Sequence, residues 1–597
     1  MTMIDIVLVV GFLVLIFIAG IGVSRWIREA DDFYVAGREL TPFILAATIT
    51  ATNVNMYSFI GQAGEAYRSG FGIIWNCWLG NMALVFSGIF VVPVLRRLMV
   101  RTVPEFLELR FNKYIRLFVG VVWALKLCFW LAVILTAANA AAAGITRIDN
   151  PWVWYVAFAA IAIVYSAVGG AWAVALTDTI QFVVMIAGAL VVLPIAMGAV
   201  GWMPELIRKL HESGRGEHLR FVTQAQEFNW LFILSMVLLS TKWACVDQAI
   251  LQRAFGARDP RTVAKGMVLS GIITTPFAFL WILPGLANTV LQPGVANTDM
   301  IMPVFLRDYL GPGVLGLVLC GLLASQLSTI SSDINSVATL VTSDVYHNLR
   351  RDASPRSLLR IVRFSSLAGG ALMILFAYYV VSRFRSVVEA NLTMVGIVDM
   401  PVFVITIVYG LFSRRANWQG AIGGYLIGAL SGVGCFLYFR SNPDLSAWPV
   451  LNAVFGDAID WTKWAKSLAT LASTSAALVG TPLVSACFPA PGETEGRRRI
   501  ADAFRAVRTA SGGEPSAFAR RASADRPAPS GACDSGEIRV WPVTARGRLG
   551  VGLMGAGFAT FLGGVLSGSV RFAYADYFAI GGMLVFFAGG LTRAYSD

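Results

Sequence analysis

The chain has 597 residues, of which 57% are hydrophobic and only 14% charged, and its formal net charge is +12. Soluble domains carry about a quarter of their residues as charges, so this composition excludes an ordinary globular domain, and a mean hydropathy of +0.68 points to a multi-pass membrane protein. The positive balance is no nucleic-acid signal, because the basic residues sit in short loops between apolar runs, and the seven cysteines stand singly, without a disulfide framework or zinc spacing.

In chain order, about fifteen apolar runs of membrane-spanning length are predicted. The first, Ile6–Val23, follows an opening Met1–Asp5 that lacks a basic stretch, so no cleavable signal is expected. Then come Phe43–Gly64, Gly72–Leu95, Leu117–Ala143, Trp152–Val168 and Ala171–Val200. After a polar stretch follow Trp230–Leu251, Val263–Leu291, Val314–Val341, Phe364–Val381 and Val388–Phe412, then Gly420–Phe439 and Leu468–Cys487. Gly550–Leu566 and Ala573–Leu591 close the chain. The stretch 489–548 is rich in Gly, Ala, Pro, Ser and Arg with few large apolar residues, and is expected to be a basic, disordered cytoplasmic insert. Basic residues gather in alternate loops: Arg25, Arg28 and Arg38; Arg96 to Arg116; Arg253 to Lys265; Arg350 to Arg363; Arg414 and Arg415; and the insert. Such loops stay in the cytoplasm, which places the N-terminus outside and the insert and C-terminus inside a cell (inner or plasma) membrane.

Several runs carry polar groups that lipid excludes. Val314–Val341 holds Ser325, Ser328, Thr329 and Ser332 on one helical face, a row of oxygens that needs a neighbouring helix, water or a cation. Phe43–Gly64 holds Asn53, Asn55, Ser58 and Gln62 among small residues, which weaken a continuous helix and either offer amides and carbonyls to a ligand or pack between helices. Trp230–Leu251 holds Lys242 and Asp247. If five-helix halves begin at these two runs, both interrupted helices lie first in their half, the inverted-repeat pattern whose broken helices bind solute near the midplane. Asp178 has no basic neighbour within a turn, and reads as a carboxylate facing a cavity, cation or proton, or as an interfacial helix-end residue. Lys126, Asp333 and Asp399 pose the same question: Asp333 could cap or snorkel, Lys126 could be a structural ion-pair partner, and Lys242 could snorkel outward or receive a carboxylate.

Taken in order, Asp32-Phe33-Tyr34-Val35-Ala36-Gly37-Arg38, Ala51-Thr52-Asn53, Thr102-Val103-Pro104-Glu105-Phe106, Gly169-Gly170-Ala171 with Thr177-Asp178-Thr179-Ile180-Gln181, Asp247-Gln248 with Gln252-Arg253, Leu323-Ala324-Ser325 with Ser328-Thr329 and Asn335-Ser336, and Asp344-Val345-Tyr346 resemble the sodium:solute symporter family. That group holds bacterial proline, sialic acid and galactose symporters and the animal sodium–glucose transporters, and the resemblance runs from about Asp31 to Gly420. It implies an all-α membrane protein with a LeuT-type core of two inverted five-helix repeats, one extra N-terminal helix and extra C-terminal helices, about 14–15 transmembrane helices. The expected units are a leading helix (1–30), the repeats (41–200 and 228–412), accessory helices (418–488), the insert (489–548) and a terminal hairpin (549–597).

The resemblance also implies a general sodium site made by the backbone carbonyls of Ala51, Val54 and Ser325 and the side chains of Ser328 and Thr329. Five neutral oxygens suit a hard, singly charged cation. A second sodium site, present in some members, falls on Asp178, Ser328, Ser331 and Ser332. By position the solute pocket takes in Asn53, Asn55, Ser58, Gln62, Lys242, Asp247 and Lys126; Ser58 stands where galactose-binding members carry glutamine, so the sugar pattern is not reproduced. Glu65-Ala66-Tyr67-Arg68 resembles the stretch of members that carry small anions, and with Lys126 and Lys242 it tilts the expected solute toward an organic anion over a sugar, polyol or amino acid. The function implied is sodium-coupled symport by alternating access, with sodium as coupling ion, a small solute and the bilayer as partners, and no cofactor. No enzyme is expected, since no nucleophile–base pairing or phosphate-binding glycine loop is present. Proton coupling through Asp178 and a transporter-derived sensor built on the insert are the alternatives.

Overall fold

The computed structural model describes residues 1–24, 39–98, 100, 102–222, 229–350, 352, 354–413, 415–441, 461–489, 492, 498, 500, 542, 544–569 and 574–596. The Asp32–Arg38 motif, most of the 489–548 insert and Cys533 lie outside the described residues.

Among the described residues eleven helices are long and apolar enough to cross a membrane, and twelve if one bent pair counts as a single span. The principal elements are α1 (Met3–Ser24), α2 (Pro42–Asn53), α3 (Ala63–Ser69), α4 (Ile74–Phe90), α5 (Lys113–Thr146) and α6 (Pro151–Val200). The second half contains α7 (Trp230–Val246), α8 (Gln248–Phe255), α9 (Pro260–Phe277), α10 (Phe279–Leu291), α11 (Val314–Thr339), α12 (Pro355–Tyr379) and α13 (Val387–Met394). Two antiparallel pairs complete the chain, α14 (Trp418–Ser441) with α15 (Trp461–Ala486) and α16 (Ala545–Ser569) with α17 (Ala575–Ala594).

The expected break between Trp152–Val168 and Ala171–Val200 falls between the described apolar stretches Pro151–Ile161 and Thr177–Val200 of α6. Phe43–Gly64 is not one helix but two pieces, α2 and α3. Asn53 ends α2, Val54 turns to an extended φ of −98° and ψ of 113°, and the Asn55 carboxamide oxygen accepts from the Tyr57 N–H at 3.0 Å. Short polar side chains compete in this way for the backbone. The chain restarts as a π-helical turn, Tyr57–Gln62, before α3. A Cβ on Gly285 of α10 would lie 2.3 Å from the Ala63 carbonyl oxygen, so only glycine lets α10 seat against the start of α3.

The matching break in the second half falls at Asp247, between α7 and α8, with a bend of 41°. Asp247 caps α8 by accepting from the Ala249 N–H at 3.2 Å. Between the two broken elements runs α11, which packs along α6 and touches α2 and α8; every residue from Ala324 to Leu340 is buried. Its N-terminus is held by α1, where the Asp5 carboxylate accepts from the Gly313 and Gly316 N–H groups at 2.8 and 2.9 Å.

Some arginines assigned to loops are internal. Arg96 bonds the carbonyl of Ala257, and Arg110 those of Gly410 and Ser413; both side chains are buried. Arg253 lies on α8 inside the bundle.

Candidate functional site

The break in α2 leaves the carbonyl oxygens of Ala51 and Val54 without a backbone donor among the described residues. The hydroxyl row of α11 lies across from them. Thr329 Oγ1 donates to the Thr52 carbonyl at 3.2 Å and stands 3.0 Å from that of Ser325, which ties the row to the break. Unsatisfied carbonyls at an interrupted helix inside a membrane are the groups a desolvated cation needs. Ser328 points to the other side, toward Asp178.

Asp178 is fully buried on α6, where four elements converge. Its Oδ1 accepts from Ser328 Oγ of α11 at 2.6 Å, and its Oδ2 from Thr48 Oγ1 of α2 at 2.7 Å. Arg253 Nη2 of α8 lies 3.5 Å from the same Oδ2 and donates to Ser332 Oγ, while its Nε donates to Thr48 Oγ1 at 2.9 Å. The sequence-based view of Asp178 as lacking a basic partner is therefore corrected: the partner comes from 75 residues away, on an element counted as a loop. Ser331 and Ser332 both donate to the Ser328 carbonyl, at 3.1 and 2.7 Å, so Ser331 adjoins the cluster without a side-chain bond to Asp178. Arg253 and Thr48 are the members that sequence reasoning missed; the Gln252-Arg253 pair carried the signal, and its place beside a basic loop hid it.

On the other side of the α2 break lies a cavity of about 150 Å³. Asn53, Asn55, Ser58, Gln62, Lys126, Lys242 and Asp247, the residues expected there, all line it, together with Tyr57, Asn76, Trp130, Trp243, Trp281, Thr329 and Asp333. One of its polar groups, Gln62 Oε1, is already fixed, accepting from Trp281 Nε1 at 2.9 Å and from Cys77 Sγ at 2.8 Å. Both lysines are paired. Lys126 Nζ lies 2.9 Å from Asp247 Oδ2 and 3.1 Å from Asp399 Oδ2. Lys242 Nζ donates to Asp399 Oδ2 and lies 3.5 Å from Asp247 Oδ2.

Arg68, the third cation behind the anion expectation, is bound to Glu65 on the same helix at 2.5 Å. Glu65 in turn accepts from Ser386 Oγ at 2.7 Å at the start of α13, and Asp299 accepts from the Val387 N–H at 3.2 Å. Asp299 lies outside the spans. Burial and then the neighbouring Glu65 push its carboxyl up to about 7, against the Val387 N–H and Arg68.

A model of the sodium:solute symporter family matches residues 33–428. The sodium/glucose cotransporter of Vibrio parahaemolyticus is 26% identical over 465 residues, 71% of this chain and 83% of that protein. The human sodium/iodide cotransporter is 26% identical over 462 residues, 74% of this chain and 72% of its own. The sodium/sialic acid symporter of Aliivibrio fischeri is 24% identical over 453 residues, 73% and 87%. Among solved structures, a substrate-bound, outward-open sodium-coupled sialic acid symporter superposes with a TM-score of 0.68 at 20% identity, covering 83% of this chain and 99% of that one. The likeness establishes the LeuT-type fold.

Proposed function

The chain belongs to the sodium:solute symporter family, and on that premise we propose that it carries a small polar organic solute into the cell with two sodium ions by alternating access. It is a multi-pass membrane transporter and not an enzyme, and sodium-coupled solute symport is the activity its relatives share. The observation that carries the reading is the α2 break, where the Thr329 hydroxyl of α11 donates to the Thr52 carbonyl, next in sequence to the freed Ala51 carbonyl. The general ion sits among Ala51, Val54, Ser325, Ser328 and Thr329; filling it joins the broken helix to α11 and completes the wall of the solute cavity.

The second ion uses Asp178 with Ser328, Ser331 and Ser332, and must displace Arg253 from Asp178 and Ser332 to do so. Arg253 is thus a tethered competitor that keeps Asp178 compensated when sodium is low. The solute binds against Asn53, Asn55, Ser58 and Gln62 and the lysine–aspartate cluster of Lys126, Lys242, Asp247 and Asp399. The pairing of Lys126, Lys242 and Arg68 removes the support those cations gave to an organic anion. Each sodium ion crossing 100 mV contributes about 2.3 kcal/mol and a tenfold gradient about 1.4 more, so two ions supply roughly 7 kcal/mol, a limiting solute gradient of about 10⁵.

The test is uptake into proteoliposomes driven by an imposed sodium gradient, with potassium replacing sodium at constant pH. Uptake that follows the sodium gradient supports the reading; uptake that follows a proton gradient alone overturns it. Sidedness is proposed from the basic loops: N-terminus outside, insert and C-terminus inside. In a variant keeping Cys533 alone, an impermeant maleimide should label it only after the membrane is opened; labelling of intact cells inverts the map.

A further inference from the structure

The charges around the cavity do not cancel. Lys126 and Lys242 are matched by Asp247 and Asp399, each lysine lying close to both carboxylates. The Asp178–Arg253 pair is likewise self-compensating. One carboxylate is left over: Asp333 of α11, which lines the cavity and is only 1% exposed. Its Oδ2 accepts from Trp130 Nε1 at 3.0 Å, and among the described residues it has no lysine, arginine or histidine within ion-pair distance. No hydrogen bond to its Oδ1 is found among the described residues, and Asp333 lines the cavity. A carboxylate in a membrane interior is costly unless something positive meets it.

The surroundings indicate what kind of cation that is. Trp130, which holds Asp333, packs edge to face against Tyr57 with ring centroids 5.6 Å apart, and both rings line the same cavity. A carboxylate next to aromatic walls suits a weakly hydrated organic cation, held by an ion pair and by ring faces together. A bare sodium ion prefers a shell of oxygens, which the α2 break supplies elsewhere. Because the lysines are matched, the cavity has no spare cation to receive a solute's negative charge.

Resting on the symporter reading above, we propose that the transported solute carries a cationic nitrogen, an ammonium or guanidinium group, received by Asp333 beside Tyr57 and Trp130. Sodium then occupies the α2 break on one side of Thr329 while the amine occupies Asp333 one helical turn further along α11. The solute's charge completes the neutralisation of the cavity, leaving the sodium ions outside that balance.

The experiment is thermal unfolding of the purified full-length protein in sodium or in potassium, since organic replacement cations would compete for the proposed site. The probes are tetramethylammonium, ethanolamine and agmatine as cations, lactate and benzoate as anions, and sorbitol as a neutral solute. At least one cation should raise the unfolding midpoint in sodium, and Asp333→Asn should abolish that shift while the stabilisation by sodium alone persists. Stabilisation by the anions or sorbitol and not by any cation overturns the proposal, as does a cation shift that survives Asp333→Asn. If Asp333→Asn loses the sodium effect, Asp333 serves the ion and the proposal fails although symport stands. If sodium stabilises neither protein, the symporter reading fails with it. Should Asp333→Asn not fold, the choice among cation, anion and neutral solute in the unaltered protein still decides.

Discussion

Replacing Arg253 with glutamine tests the competition between a side chain and an ion for the same oxygens. Arg253 donates to Ser332 and approaches Asp178 at 3.5 Å, and its Nε is held by Thr48 at 2.9 Å. The Asp178 contact is at the limit of a hydrogen bond, so the energy that sodium must displace resides mainly in one charge-assisted bond, about 1.5–3 kcal/mol. Removing the competitor should therefore tighten the second sodium site by roughly 10- to 150-fold. With two coupled ions the half-saturating concentration follows the geometric mean of the two sites, so it should fall by roughly 3- to 12-fold. The assay is initial uptake over a sodium series at constant ionic strength, balanced with potassium. Thermal unfolding supplies a second readout. In potassium Arg253→Gln leaves Asp178 buried with only two hydroxyl partners, Ser328 and Thr48, a loss of about 3–5 kcal/mol, and added sodium should restore it by mass action. A half-saturation that stays put or rises, with no gain in sodium-dependent stability, would refute the idea that Arg253 and sodium exclude one another.

Three further outcomes are expected. Asp178→Asn should bring the Hill coefficient for sodium from above one to about one, and Ser328→Ala should damage uptake more than Thr329→Ala if, as proposed, Ser328 serves both ion sites; an unchanged sodium dependence in Asp178→Asn would make that carboxylate structural. Lys242→Met should lower stability by about 3 kcal/mol, the low end for a broken buried pair because Lys126 still reaches Asp399 at 3.1 Å; the double variant Lys242→Met/Asp399→Leu should melt higher than the single one in a tryptophan-fluorescence scan, and a double variant that melts no higher contradicts the pairing. Asp299 has a folded-state value of about 7, above its unfolded value of about 4. Its contribution to stability is therefore full below about pH 4 and is lost as the pH rises through about 7. Asp299→Asn should flatten the decline of the unfolding midpoint across that window and raise it at pH 8.

The hydroxyl spacing of Ser325, Ser328, Thr329 and Ser332 and the paired asparagines at 53 and 55 were legible because they are local: helical periodicity and side-chain competition for the backbone act over a few residues. The seven residues that line the cavity were placed there by their positions in the family resemblance, and are polar groups in apolar runs. What escaped was long-range. Asp178 meets Arg253 across 75 residues and Thr48 across 130, and no spacing rule spans such distances. Asp399 joins Lys126 and Lys242 only in three dimensions, so the sequence left open whether the lysines were paired and let them tilt the solute toward an anion.

The attachment of Asp5 to the N-terminus of α11 has a consequence for how the chain is made. Gly313 lies 308 residues after Asp5, and a ribosome adding about 5–20 residues per second needs roughly 15–60 s to cover that interval. Throughout it the first helix is already in the bilayer while its partner does not yet exist. The waiting carboxylate is not bare, since Thr2 gives its Oδ2 a backbone N–H at 2.7 Å and a hydroxyl at 2.8 Å. The other oxygen, Oδ1, is the one that α11 later takes. Thr2 thus holds the carboxylate until α11 is made, and Thr2→Val should lower the yield of assembled protein more than the stability of the molecules that do assemble.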